Sequence, residues 1–342
     1  MASSLSRYPR HSLLAVALLL VAVVTACQHN PAATDAAPQG PPAATPDATG
    51  FRAFTADSYW NTPATGARVH PDSEAIIDFL RSDSTADGCT LLSGIGSNEW
   101  GMPIYWASAS DREYDVESTK YDVPPEFGSL RIPLGAKPMR GSDHEMVVYD
   151  LDRGTVAQLY RARYDEDRDR WTVRGGSIAY LDSNGLDGSL PESDDPRNRG
   201  TFRGYNGAVA AIRRDEVQKG SVEHVVKVGV NTAHVDHVFP MTGSDGDLKK
   251  QRAPKQGMRL RIRSDVDLER YDLHPQALVI ARALQTYGMM VADSTGGPVE
   301  LKLEDAANGR EPAWEIREDA LCAIPIDSYE VVDPSHFEDG GT

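Results

Sequence analysis

Only three cysteines occur in 342 residues, at positions 27, 89 and 322, and none stands in a C-x-x-C pair. Dithiol redox chemistry therefore has no motif to use. The chain also lacks a G-x-S-x-G nucleophile elbow, a phosphate-binding P-loop, a dinucleotide glycine fingerprint after a strand and an H-E-x-x-H metal pair. Esterase, nucleotide, nicotinamide and zincin readings fall with them, and no cofactor is expected. Positive charge is short as well, with 35 Lys and Arg against 51 Asp and Glu and a net charge of −16. Such a surface repels polyanions, which speaks against nucleic acid as a partner. A strongly acidic polysaccharide would need a local basic groove, and the sequence alone does not locate one.

Long apolar runs are scarce too. The longest, 13–24, follows Arg7 and Arg10 and is too short to span a bilayer comfortably, so it reads as an export signal. It ends in Val24-Thr25-Ala26-Cys27, which resembles the lipobox of bacterial lipoproteins, in which small residues precede a cysteine that is acylated. The resemblance implies a signal peptide over 1–26, lipidation of Cys27 and a domain held on a membrane outside the cytoplasm, in the cell envelope. Residues 27–50 are nearly all Ala, Pro, Thr, Gln and Asp and cannot bury enough apolar surface to offset ordering, so they read as a tether. A folded domain is expected over 51–332 and a flexible tail over 333–342. Once Cys27 is lipidated, Cys89 and Cys322 remain as an even pair in an oxidising compartment, and a disulfide between them is expected. Two separate buried thiols are the alternative.

Within 51–332 the apolar runs are short and turn signals recur, which predicts a mainly β domain, either a jelly-roll-like β-sandwich or a closed sheet. Strands are expected over 146–149, 156–160, 177–181, 208–212, 222–230, 258–262 and 299–303. The main helix is expected from Pro275. Ala277, Ile280, Ala281 and Leu284 recur at helical spacing, and Tyr287-Gly288 forms the exit into a short apolar strand that stops at Asp293. A shorter helix is expected over 73–81 and a helical turn over 215–219.

A carboxylate at a strand end beside a flexible loop sits where sites are often built, so Asp293 is a candidate. In the segment from Gly141, a loop feeds a hairpin that turns at Asp152-Arg153-Gly154. Alternation there places Asp143 and Glu145 on one face and His144 on the other. Asp143 and Glu145 read either as paired carboxylates or as a solvated strand face. His144 and His224 read either as site members or as hydrogen-bonded core residues. His234, Asp236 and His237 have the wrong spacing to share a strand face, so no metal site is expected. Trp60, Trp100, Tyr105, Trp106 and Tyr205 are candidates for stacking on sugar rings.

The chain resembles a widespread group of secreted bacterial proteins and lipoproteins that share motifs in a fixed order. The matching residues are Trp60-Asn61, Ser142-Asp143-His144 followed by 147–150, Gly220-Ser221-Val222-Glu223-His224, Gly257-Met258-Arg259-Leu260, and 283–288 with Val291 and Asp293. His234 to His237 and the acidic loop 187–203 depart from the shared pattern. The resemblance implies a β-rich extracytoplasmic fold and associates it with glycans. Two functions follow as expectations. One is a carbohydrate-active enzyme, a glycoside hydrolase or polysaccharide lyase acting on a neutral or weakly charged glycan. The alternative is a non-catalytic envelope lipoprotein that binds glycan or a protein partner. The expected site gathers His144, His224, Asp293 and Tyr287 as catalytic groups, with Trp60, Asn61, Asp143 and Trp106 binding substrate.

Overall fold

Short β-rich runs punctuated by glycine turns fold as strands with brief helices between them. The computed structural model describes residues 50–199, 203–209, 211–305 and 314–338. Cys27, the apolar run 13–24, the tether up to residue 49 and the tail from 339 lie outside the described residues. The strands are β1 Thr90–Ser93, β2 Ile104–Ala107, β3 Glu113–Tyr114, β4 Glu117–Ser118, β5 Leu130–Arg131, β6 Met146–Asp150, β7 Thr155–Tyr160, β8 Arg163–Asp165, β9 Arg170–Val173, β10 Gly175–Tyr180, β11 Val226–Val230, β12 Arg259–Ile262, β13 Met289–Ser294, β14 Val299–Lys302 and β15 Tyr329–Val331. The helices are α1 Ser73–Asp83, α2 Arg214–Lys219, α3 Pro275–Thr286 and α4 Ser335–Glu338. The described chain is mainly β, and among the described residues no helix is long and apolar enough to cross a membrane.

Two larger sheets carry the architecture. One has six strands in the order β1-β14-β11-β13-β12-β15, with β1/β14 and β11/β13 parallel and the other neighbours antiparallel. The other has four, ordered β10-β7-β6-β2, with only β2/β6 parallel. On one face of the six-stranded sheet, Val226, Val228, Met289 and Val291 pack with Ile76 and Leu80 of α1 and Ile280 and Leu284 of α3. Met290 and Ala292 look the other way and share a core with Trp106, Val147, Tyr149 and Ala179 of the four-stranded sheet. The far face of the smaller sheet, with Met146, Val148 and Leu159, is covered by Phe127, Trp171 and Val173. Each such side chain stabilises the fold by about 1.5–3 kcal/mol when fully buried.

Local chemistry explains the element ends. α3 starts at Pro275, whose missing N–H costs nothing at that position, and the His274 ring accepts from the Gln276 N–H at 3.3 Å. It stops because Gly288 takes φ 77°, a left-handed turn that sends the chain directly into β13. The expected hairpin forms, with Asp150 opposite Thr155. Two expectations shift. Of the strand expected over 208–212, residues 208 and 209 lie in a turn, 211 in a bend and Ile212 makes a single bridge to Leu303, and the strand expected from 222 begins at Val226. Residues 333–338, expected within a flexible tail, pack on the domain. Phe337 is buried with its ring 5.4 Å from that of Tyr59, and the Asp333 N–H donates to the Arg68 carbonyl at 2.8 Å. Cys89 and Cys322 are disulfide-bonded across a sequence separation of 233, with Cα atoms 4.8 Å apart.

Candidate active site

A β-bulge decides where Asp293 points. Val226, Val228 and Val230 face the helices, so Lys227 and Gly229 of β11 face the four-stranded sheet. On β13, unbroken alternation would send Asp293 to the helix side with Met289 and Val291. The register instead slips by one residue, Val228 pairing with Val291 and Gly229 with Asp293. The extra residue turns the Asp293 carboxylate toward Lys227, a re-aiming for which bulges beside sites are known.

The carboxylate then meets a dense set of partners. Lys227 Nζ donates to Asp293 Oδ2 at 2.8 Å and to the Tyr205 hydroxyl at 2.8 Å. Arg203 Nη2 lies 3.3 Å from Asp293 Oδ1 and 3.2 Å from Asp245 Oδ2, bridging the two acids. Asp245 also accepts from the Ser294 N–H at 3.2 Å and from the Gln256 amide, and it hydrogen-bonds Asp293 directly. Burial opposes ionisation of Asp293. The charge and hydrogen bond of Lys227, the charge of Arg203 and the bond from Asp245 outweigh it and hold the carboxyl well below the usual carboxylate range. Asp245 moves the other way, raised by burial and by the Asp293 charge, so of the two acids Asp245 is the one that takes up a proton first as pH falls. Burial pushes the Tyr205 hydroxyl up to about 12 despite Lys227.

These groups line one wall of a cavity of about 960 Å³. The segment entering β6 lines the same cavity with Asp143 and Glu145. Glu145 is buried and held by Lys302 Nζ at 3.2 Å and by the Gln158 amide at 3.3 Å. Asp143 is half-buried. Burial raises its pKa, the Glu145 charge adds to the rise, and Lys302 opposes it. At the mouth stand Trp100, 40% exposed, and Tyr121, 52% exposed, two of the few large hydrophobic side chains open to solvent among the described residues. The Trp100 ring packs across Gly141, where a Cβ would lie 2.8 Å from it.

The structure brings together only part of the expected site. Asp293 and Asp143 face the same cavity. His144 is exposed in a left-handed turn with φ 43°, its Nδ1 3.1 Å from the Met139 carbonyl, and it lines a different cavity. His224 is buried, bound to Glu216 at 3.1 Å through Nε2 and to the Val225 carbonyl at 2.8 Å through Nδ1. His224 and Tyr287 belong to the amino-terminal ends of the parallel pair β11/β13, whereas Asp293 is at the carboxyl end, about 3.3 Å per residue away. The length of β13 therefore keeps Asp293 apart from His224 and Tyr287, and His144 lines another cavity. Trp60 is fully buried with its indole donating to the Gly185 carbonyl at 3.1 Å, and the Asn61 amide donates to the Ala53 and Thr55 carbonyls at 2.8 Å. Trp106 stacks on Tyr149 with ring centroids 4.5 Å apart. These three residues hold the core and do not reach the cavity. His234 accepts from the Asp236 N–H at 3.0 Å, and among the described residues no group of three or more His, Cys, Asp or Glu is placed to hold a metal ion.

Sequence reasoning missed Lys227, Arg203, Asp245 and Lys302. Lys227 left a signal: a lone cation inside the run Val225 to Val230 must find a partner, because burying it unpaired is prohibitive. No protein-family model, characterised protein or solved structure matches this chain.

Proposed function

We propose that this cavity binds a neutral or weakly charged glycan and hydrolyses it with Asp143 and Asp293. The observation that carries the reading is that two carboxyl groups lining one cavity are driven in opposite directions, Asp143 upward and Asp293 downward. Glycoside hydrolysis needs that division, one carboxylic acid to protonate the leaving oxygen and one carboxylate to activate water or stabilise the cationic sugar. Asp143 is the acid and Asp293 the carboxylate. Lys227, Arg203 and Asp245 position Asp293 and keep it ionised. Trp100 and Tyr121 offer apolar ring faces on which a sugar stacks at the mouth. Elimination is less well supported, because the Tyr205 hydroxyl, pushed up to about 12, is a poor base near neutral pH.

The same exposed rings favour a second reading, glycan binding without chemistry. In either case the two larger sheets are read as a β-sandwich around the shared core, and the protein as a lipoprotein anchored through Cys27 in the cell envelope. The test is release of reducing ends from a panel of neutral cell-wall and plant polysaccharides, with retention on each measured in parallel. The hydrolase reading expects cleavage that falls at least 100-fold in Asp293→Asn and in Asp143→Asn while retention persists. Retention without cleavage by the wild type would favour the binder, and neither would defeat both.

A further inference from the structure

A second cavity, of about 800 Å³, inverts the charge of the molecule. Lys137, His144, Arg161, Arg163 and Arg174 line it, and Glu166 is its only acidic lining residue. Among the described residues no carboxylate pairs with Lys137, Arg163 or Arg174. Arg161 reaches Asp143 only at 4.0 Å, and its Nε is buried without a hydrogen-bond partner. Lys137, Arg163 and Arg174 repel one another within one concavity; Arg161 is engaged by the Tyr160 side chain and by Asp143, but its buried N–H without an acceptor costs about 1–3 kcal/mol. Both costs disappear when an anion occupies the groove. The net charge of −16 does not prevent this, since charges beyond about 10 Å are largely screened at 0.1 M salt and the groove's own field governs at contact.

The groove adjoins the candidate active site. Asp143 and His144, Tyr160 and Arg161, and Gly175 and Arg174 are sequence neighbours of which one member lines each cavity. At three places, then, only a single backbone segment separates the two concavities. Arg163 and Arg174 come from the start of β8 and the residue between β9 and β10, which rest on the outer face of the four-stranded sheet. We propose that this groove is an anionic subsite, which binds carboxylate or sulfate substituents of the glycan whose backbone enters the neighbouring cavity. The substrate class is thus a glycan with a neutral segment at the point of cleavage and anionic groups beyond it. This choice of substrate rests on the hydrolase reading, whereas the anion site itself does not.

The test is affinity electrophoresis of the whole protein at about 0.1 M salt, where the distant acidic charge is screened, in gels containing polygalacturonate, dextran sulfate or unmodified dextran. The proposal expects retardation by at least one of the anionic polymers, none by dextran, and release at 0.5 M salt. Arg163→Gln combined with Arg174→Gln, checked for an unchanged melting temperature, should weaken retardation at least ten-fold. If the double variant loses its fold, Lys137→Gln alone should weaken it at least two-fold. Which polymer is retained distinguishes carboxylate from sulfate. No retardation by either anionic polymer, equal retardation by dextran, or undiminished retardation of the variants would overturn the proposal. Asp293→Asn should leave retardation unchanged. Retardation of a wild type that releases no reducing ends would leave the anion site standing and sink the hydrolase reading, whereas cleavage by a wild type that no anionic polymer retards would do the reverse.

Discussion

Lys227 and Asp293 form a close pair at the centre of the site, Nζ to Oδ2 2.8 Å. Lys227 is buried, and burial alone would lower its pKa. The charges of Asp293, Tyr205 and Glu145 outweigh that and raise its pKa well above the ordinary value. Replacing it with Met removes the partner but fills the space. Arg203 still faces Asp293, so the expected loss is about 3 kcal/mol, the lower end of the range for opening a buried pair, measured by urea unfolding. Loss below about 1 kcal/mol would mean that Asp293 does not depend on Lys227. The acids also set a pH dependence. Asp293 is depressed in the fold, so its contribution is present above the ordinary aspartate value of about 3.9 and is lost as pH falls through the depressed one. Asp245 is raised, so its contribution is full below about 3.9 and fades as pH rises through the raised value. Asp245→Asn keeps a donor toward Asp293 without a titrating proton. Relative to wild type, the variant should gain stability as pH rises from 4 to 7; a parallel pair of melting curves across that range would contradict the sign.

The joint between α3 and β13 is the element on which the site's geometry depends. Gly288 takes φ 77°, and a Cβ there would meet the Leu260 carbonyl oxygen at 2.4 Å, so both the backbone and the neighbouring strand exclude a side chain. Gly288→Ala should cost more than about 1 kcal/mol in unfolding, the strained direction of a Gly-to-Ala exchange. A neutral result would show that the joint is slack. This helix, the Gly288 exit and the acid at the strand end were all readable from spacing, because they are local. The hairpin at Asp152 was readable for the same reason, whereas the alternation expected at 143–145 does not hold, because those residues lie before β6 and His144 takes a left-handed turn. The bulge was not, because a register slip between β11 and β13 is a property of two strands more than 55 residues apart in sequence. Trp60 and Trp106 were misread because an aromatic residue looks the same in sequence whether it packs a core or meets a sugar. Arg203 and Asp245 lie in loops whose approach to Asp293 no local pattern encodes.

At the scale of the molecule, two sheets meet over one core while helices and small sheets cover their outer faces. The Cys89–Cys322 bridge closes a separation of 233 residues and ties the entry to β1 to the segment before β15. Reduction should lower stability by roughly 2–5 kcal/mol, read from denaturant midpoints with and without a reductant; an unchanged midpoint would place the constraint elsewhere. The mainly β class and the pairing of these cysteines followed from composition and parity, which act over the whole chain. The cavity did not, since it depends on how the two sheets face each other. The chemistry proposed for the cavity turns on where its two carboxyl groups, Asp143 and Asp293, hold their protons. Carbon-13 NMR titration of the aspartate carboxyls, with Asp143→Asn and Asp293→Asn used for assignment, measures it directly. Asp143 should titrate above the ordinary value of about 3.9 and Asp293 below it. Asp293 titrating at or above that value, or Asp143 at or below it, would contradict the division of roles.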